Sequence, residues 1–134
     1  EYFKADLSRS GGNPDADFDG YYGQIGWFIT GENRPYKGEI GNFKRVKPKK
    51  PFDLKEGNWG AWELLARYDN TDLNDTGAGI TGGEMETFSG GINWHLTDYV
   101  RLMANVIDVN SDSNAATAAN DDPTVYNIRA QWDF

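Results

Sequence analysis

The sequence predicts an all-β protein, a transmembrane antiparallel β-barrel represented by six C-terminal strands, and three observations carry the prediction. Residues 126–134 read Y-N-I-R-A-Q-W-D-F. Tyr126, Ile128, Ala130, Trp132 and Phe134 fall on one face, with Asn127, Arg129, Gln131 and Asp133 on the other. A period-two strand that closes on an aromatic matches the last strand of an outer-membrane barrel. Composition is the second observation. Only 38% of residues are apolar although 14% are aromatic and Gly numbers 16, and no run reaches the length of a membrane helix. Barrel strands hide in such averages because they alternate. The third is connection length, with a tight turn at Leu96–Tyr99 and long polar stretches around 9–20, 70–84 and 109–123. Barrels pair short periplasmic turns with long outer loops in this way.

Taken in order, the first strand spans Tyr2–Ser8 and offers Phe3, Ala5 and Leu7 to one face. Tyr21–Thr30 places Tyr21, Ile25, Trp27 and Ile29 together. Trp59–Asn70 sets Trp62, Leu64, Ala66 and Tyr68 against Glu63, Arg67 and Asp69. Glu84–Leu96 sets Phe88, Ile92, Trp94 and Leu96 against Thr87, Ser89, Asn93 and His95. Tyr99–Val109 sets Val100, Leu102, Ala104 and Val106 against Arg101, Met103 and Asn105. The last strand begins near Thr124. Helical spacing competes nowhere, and Gly20, Gly23, Gly26, Gly60, Gly90 and Gly91 would interrupt helices.

Six strands fall short of the eight of the smallest single-chain barrels, and an open edge in lipid costs several kcal/mol per unpaired backbone group. The chain also begins within a strand, without an initiator Met or leader. The expectation is that residues 1–134 are the C-terminal portion of a single barrel domain; assembly of one barrel from several short chains is the lesser alternative. With Phe134 on the periplasmic side, strand parity makes the 97–98 turn periplasmic and turns the three acidic stretches outward. The segment 31–58 then falls on the periplasmic side. It is too long for an ordinary turn and must fold back into the lumen or contain a strand pair.

Net charge is −8, which argues against nucleic acid as the main partner. The distribution is uneven. Eight of the 13 basic residues lie between Arg34 and Lys55, and Lys44, Arg45, Lys47, Lys49 and Lys50 form a cluster suited to concentrating anions or, more simply, a solvated loop face. Pro48 and Pro51 argue against a regular central strand there. Arg67, Arg101 and Arg129 occupy the polar faces of three strands, where they would either attract anions in a lumen or pair with Glu63, Asp69 and Asp133.

Asp15, Asp17 and Asp19 open like a calcium-binding loop, but Gly26 stands where that loop needs a bidentate Glu, so they are marginal metal candidates. Ser89 and His95 share a strand face but lie about 20 Å apart at the strand rise, too far for a nucleophile and its base. No catalytic residue and no cofactor is expected.

The run Gly26–Tyr36, the stretch Lys44–Pro48, then Gly60–Leu64, Ala66–Tyr68, Asp72–Asp75, Gly91–Trp94 and the closing Ile128–Phe134 resemble, in order and across nearly the whole chain, the C-terminal third of a phosphate-selective porin of the porin O and P family. The resemblance implies a 16-stranded homotrimeric barrel in the outer membrane of a Gram-negative bacterium, passing small anions such as phosphate or polyphosphate. Its partners would be outer-membrane lipid, lipopolysaccharide and the anionic solutes themselves. The acidic composition makes general anion or small-solute diffusion the broader expectation. A competing function is a soluble or surface-attached β-domain that binds glycan or calcium through its aromatics and acidic loops. That reading requires Trp27, Trp62, Trp94 and Trp132 to pack a core.

Overall fold

In a computed structural model of the chain, residues 1–39, 41–112 and 122–134 are described. Every regular element among them is a strand: β1 (Tyr2–Leu7), β2 (Ala16–Phe28), β3 (Tyr36–Lys37), β4 (Asn42–Phe43), β5 (Ala61–Asp75), β6 (Ile80–His95), β7 (Val100–Asp112) and β8 (Thr124–Trp132). Six of them form one antiparallel sheet in the order β1-β2-β5-β6-β7-β8, so each strand pairs with its successor in the chain once β3 and β4 are set aside. β1 runs against β2 from Tyr2 opposite Tyr21 to Leu7 opposite Ala16. β3 and β4 form a separate two-stranded sheet, with Tyr36 opposite Phe43. The segment 31–58 therefore does contain a strand pair.

The strands are longer than alternation suggests. β2 begins at Ala16, and β5 and β6 continue to a turn of four residues at 76–79. The expected loop 70–84 is thus largely strand, and the end of the expected loop 9–20 is strand from Ala16 on. Around the 76–79 turn, Asn70, Asp72, Asn74, Asp75 and Glu84 put polar side chains on both faces and weaken the period, yet the strands continue through them. Asp75 Oδ1 accepts the Ala78 N–H at 3.0 Å within the turn, and Asp75 Oδ2 accepts the Asp17 N–H at 2.9 Å. β7 extends to Asp112, and the remainder of the expected 109–123 loop falls mostly outside the described residues.

Contacts group the chain into two units. One consists of Glu1–Gln24, Arg67–Ser89 and Ile107–Val125. It holds the Lys4 ion pairs with Asp6 and Asp17, each 2.9 Å, and the tilted Tyr21 and Tyr68 rings at 6.1 Å. The other consists of Ile25–Ala66, Gly90–Val106 and Tyr126–Phe134. There the 96–99 turn is closed by Thr97, whose Oγ1 accepts the N–H groups of Tyr99 and Val100 at 3.1 Å each.

Alternation sorts the second unit's strands into two chemically distinct faces. Trp62 and Trp94 stack on one face, and Glu63, Asn93 and His95 meet on the other. Apolar burial is slight, since the buried hydrophobic residues of both units are Ala16, Phe28, Val46, Ala61 and Ala78. Apolar side chains are instead displayed: Ile25 is 70% exposed, Trp27 63%, Ile128 86% and Trp132 75%. Trp27 and Trp132 do not pack the core that the soluble alternative requires.

Candidate functional site

The site grows from Glu63, three residues into β5 on its polar face. The end of β6 brings Asn93 and His95 to the same face. Glu63 is only 2% exposed, and a carboxylate so placed is costly unless every oxygen finds a donor. Its donors come from two places. Asn93 Nδ2 donates to Oε2 at 2.8 Å, with His95 Nε2 3.5 Å from the same oxygen. Arg34 arrives from the connection between β2 and β5, and its Nη2 donates to both carboxylate oxygens at 2.7 and 2.8 Å. Phe28 completes the enclosure, its ring 5.9 Å from that of His95.

Arg34 ties the connection to the polar face, and further bonds fix the rest of it. Its guanidinium lies 5.9 Å from the centroid of Phe43 in β4. The Lys44 N–H donates to Pro35 O at 2.8 Å, closing the β3–β4 hairpin. Glu32 Oε1 accepts the Lys49 N–H at 3.1 Å, and Thr30 Oγ1 donates to Glu32 Oε2. Burial pushes the Glu32 carboxyl up, but the Thr30 and Lys49 hydrogen bonds outweigh it and hold the group below its usual value. At the far end the Phe52 N–H donates to Leu96 O at 2.7 Å, and Phe52 sets its ring against Trp94 and Trp59.

Beside this clamp lies a cavity of about 240 Å³ whose lining includes Arg34, Lys44, Arg45 and Arg101 together with Asp98 and Asp133. Arg101 Nη2 donates to Gln131 Oε1 at 2.7 Å, and Gln131 Nε2 donates to Asp133 Oδ1 at 2.8 Å, so Gln131 spaces the arginine from the acid. Arg45 lies 4.8 Å over the Tyr99 ring. Among the described residues, neither Lys44 nor Arg45 pairs with a carboxylate. The cavity is thus a place where cationic charge outnumbers its local compensation.

The remaining residues singled out by sequence fare differently. Arg67 is engaged by Asp69, donating from Nε at 2.8 and 2.9 Å, and covers the Tyr22 ring at 4.1 Å. Lys47 faces Asp98 at 3.8 Å, and Lys49 Nζ donates to Gly31 O at 2.5 Å. Lys50 lines a second cavity of about 350 Å³ with Glu32 and Lys49. Arg129 is exposed on β8 and makes no ion pair among the described residues. Asp17 and Asp19 lie in β2, where Asp17 pairs with Lys4, while Asp15 Oδ1 accepts the Arg9 N–H at 3.1 Å. An extended backbone spaces such carboxylates along a line, and no group of metal-holding side chains occurs among the described residues. Sequence reasoning missed Arg34, whose partner is distant in the chain. Glu63 with Asn93 and His95 was within its reach through the shared face.

Comparison with known proteins agrees with this geometry. The family model described as phosphate-selective porin O and P matches residues 1–134. The chain is 31% identical over 122 residues to Porin O of Pseudomonas aeruginosa, covering 86% of this chain and 26% of that protein. It is 38% identical over 104 residues to an uncharacterized protein of Caulobacter vibrioides, covering 78% of this chain and 20% of that one. The chain therefore spans about a fifth to a quarter of the length of these relatives.

Proposed function

Because the chain belongs to the phosphate-selective porin O and P family, we propose that it forms part of the wall of a water-filled outer-membrane channel for passive diffusion of small anions, phosphate or polyphosphate among them. The observation that carries the reading is the pair Lys44 and Arg45, which line a cavity on the polar face and form no ion pair among the described residues. A few unpaired cations against a low-dielectric wall focus a field that enriches anions locally even though the chain as a whole is acidic. Arg101 and the exposed Arg129 extend the positive pathway along β7 and β8. Arg67, held by Asp69, contributes little to it.

The displayed apolar face, with Ile25, Trp27, Ile128 and Trp132, is suited to lipid, and the aromatic group Phe52, Trp59, Trp62 and Trp94 to the headgroup level. In this reading residues 1–134 are the C-terminal portion of a single 16-stranded barrel that assembles as a homotrimer among lipid and lipopolysaccharide. No covalent chemistry is required.

Planar-bilayer recording on the full-length protein tests the proposal. Stepwise conductance with a zero-current potential of anion-selective sign is expected, reduced by added phosphate. Cation-selective potentials would remove the anion assignment, and absence of channels would remove the porin.

A further inference from the structure

A carboxylate buried in an anion pathway works against the pathway's charge, so Glu63 calls for another explanation. We infer that Glu63 is a positioning residue, a latch that holds the connection between β2 and β5 on the polar face and thereby sets where Lys44 and Arg45 stand. This rests on the channel reading above and adds to it a residue whose sign is opposite to its effect.

The physical chain is short. Glu63 lies on β5, fixed by the sheet, with Asn93 occupying one of its oxygens from β6. Arg34 bridges both oxygens and is the connection's ion pair to Glu63. The same guanidinium meets Phe43, the residue before Lys44. The backbone bond from Lys44 N–H to Pro35 O closes a loop that begins next to Arg34. Displacing Arg34 therefore displaces the hairpin that delivers Lys44 and Arg45 to the cavity, where the Arg45 contact on Tyr99, the Lys47 ion pair with Asp98 and the distant Phe52 bond are weaker or more remote holds. Burial strengthens the latch, because at 2% exposure the Glu63 carboxylate is largely shielded from water and counter-ions.

The two roles available to Glu63 predict opposite signs. As a simple wall charge, its removal makes the channel more anion-selective. As a latch, its removal frees the cations and makes the channel less so. Bilayer recording on full-length E63Q is expected to show an anion-to-cation permeability ratio lowered by about two-fold or more, given focused potentials of several kT. The double variant R34Q/E63Q removes one charge of each sign and leaves no lone buried ion, so it guards against a failure to fold. It is expected to show the same loss, whereas a through-space account requires the native ratio. Channels from either variant with a ratio unchanged or raised would overturn the latch while leaving the porin intact. Failure of the native protein to form channels would instead remove the reading on which it rests.

Discussion

Trp62 and Trp94 stack with ring centroids 4.9 Å apart and planes within 14° of parallel, across the β5–β6 pair. Trp94 also donates from Nε1 to Trp59 O at 2.6 Å and receives the edge of Phe52 at 5.5 Å. One indole thus joins two strands and the end of the 29–60 connection.

A double-mutant cycle on W62A and W94A should give a coupling of about 0.5–1.5 kcal/mol, the range for aromatic pairs beyond area burial. Denaturant unfolding in detergent micelles reads it. Additivity of the two single variants would show that the stack carries no energy of its own.

Gly60, at φ 69°, ends the same connection, and a Cβ there would press into His95 O. Gly57 shares φ 69° but has open space around it. G57A should cost about 1–2 kcal/mol for the left-handed backbone alone. G60A should cost more by at least about 1 kcal/mol because the backbone must also shift. Equal losses in the same unfolding assay would refute the close approach to β6.

Glu32 has its carboxyl held below the ordinary value of 4.5, so its charged form is favoured by the fold. The stability it contributes is present above that ordinary value and is lost as pH falls through the depressed folded value. The difference in melting temperature between native protein and E32Q should therefore be largest near about pH 7 and shrink below 4.5. A difference constant across that range would show that Glu32 does not titrate with folding.

Charge removal should be unequal among the basic residues. K44Q/R45Q should lower anion preference by about two-fold or more, because both line the cavity and neither forms an ion pair with a carboxylate among the described residues. R67Q should change it by less, because it removes one cation rather than two and Arg67 does not line the cavity that Lys44 and Arg45 share. Zero-current potentials measured side by side decide the order, and an R67Q effect equal to the double variant would reverse the assignment.

The two faces of the sheet were legible in the sequence because side-chain direction in a strand follows parity alone. Trp62 with Trp94, and Glu63 with Asn93 and His95, meet where alternation puts them. Arg67 with Asp69 was also readable, being neighbours on one face two residues apart. The end of β5 was not readable, since Asn74 and Asp75 put polar side chains on opposite faces, whereas the start of β2 did alternate, with Ala16 and Phe18 against Asp17 and Asp19, but its acidic residues resembled a loop. The pairing of Arg34 with Glu63 was invisible for a different reason. It joins an irregular, proline-bearing segment to a strand across 29 positions, and no local propensity records such a contact.

The strand order has an entropic consequence. β2, β6, β7 and β8 each follow directly in the chain the strand they pair with, and the β5–β6 and β6–β7 ladders close over connections of four residues, 76–79 and 96–99. Closing β2 against β5 must instead gather all of residues 29–60. Loop entropy makes that only modestly more costly, about 0.6 kcal/mol per doubling of length. Docking the connection through Arg34 and Phe52 adds contacts that no hairpin can form on its own. The β2–β5 junction therefore closes a longer stretch of chain than the β5–β6 and β6–β7 hairpins do, and it draws on contacts from outside its own two strands.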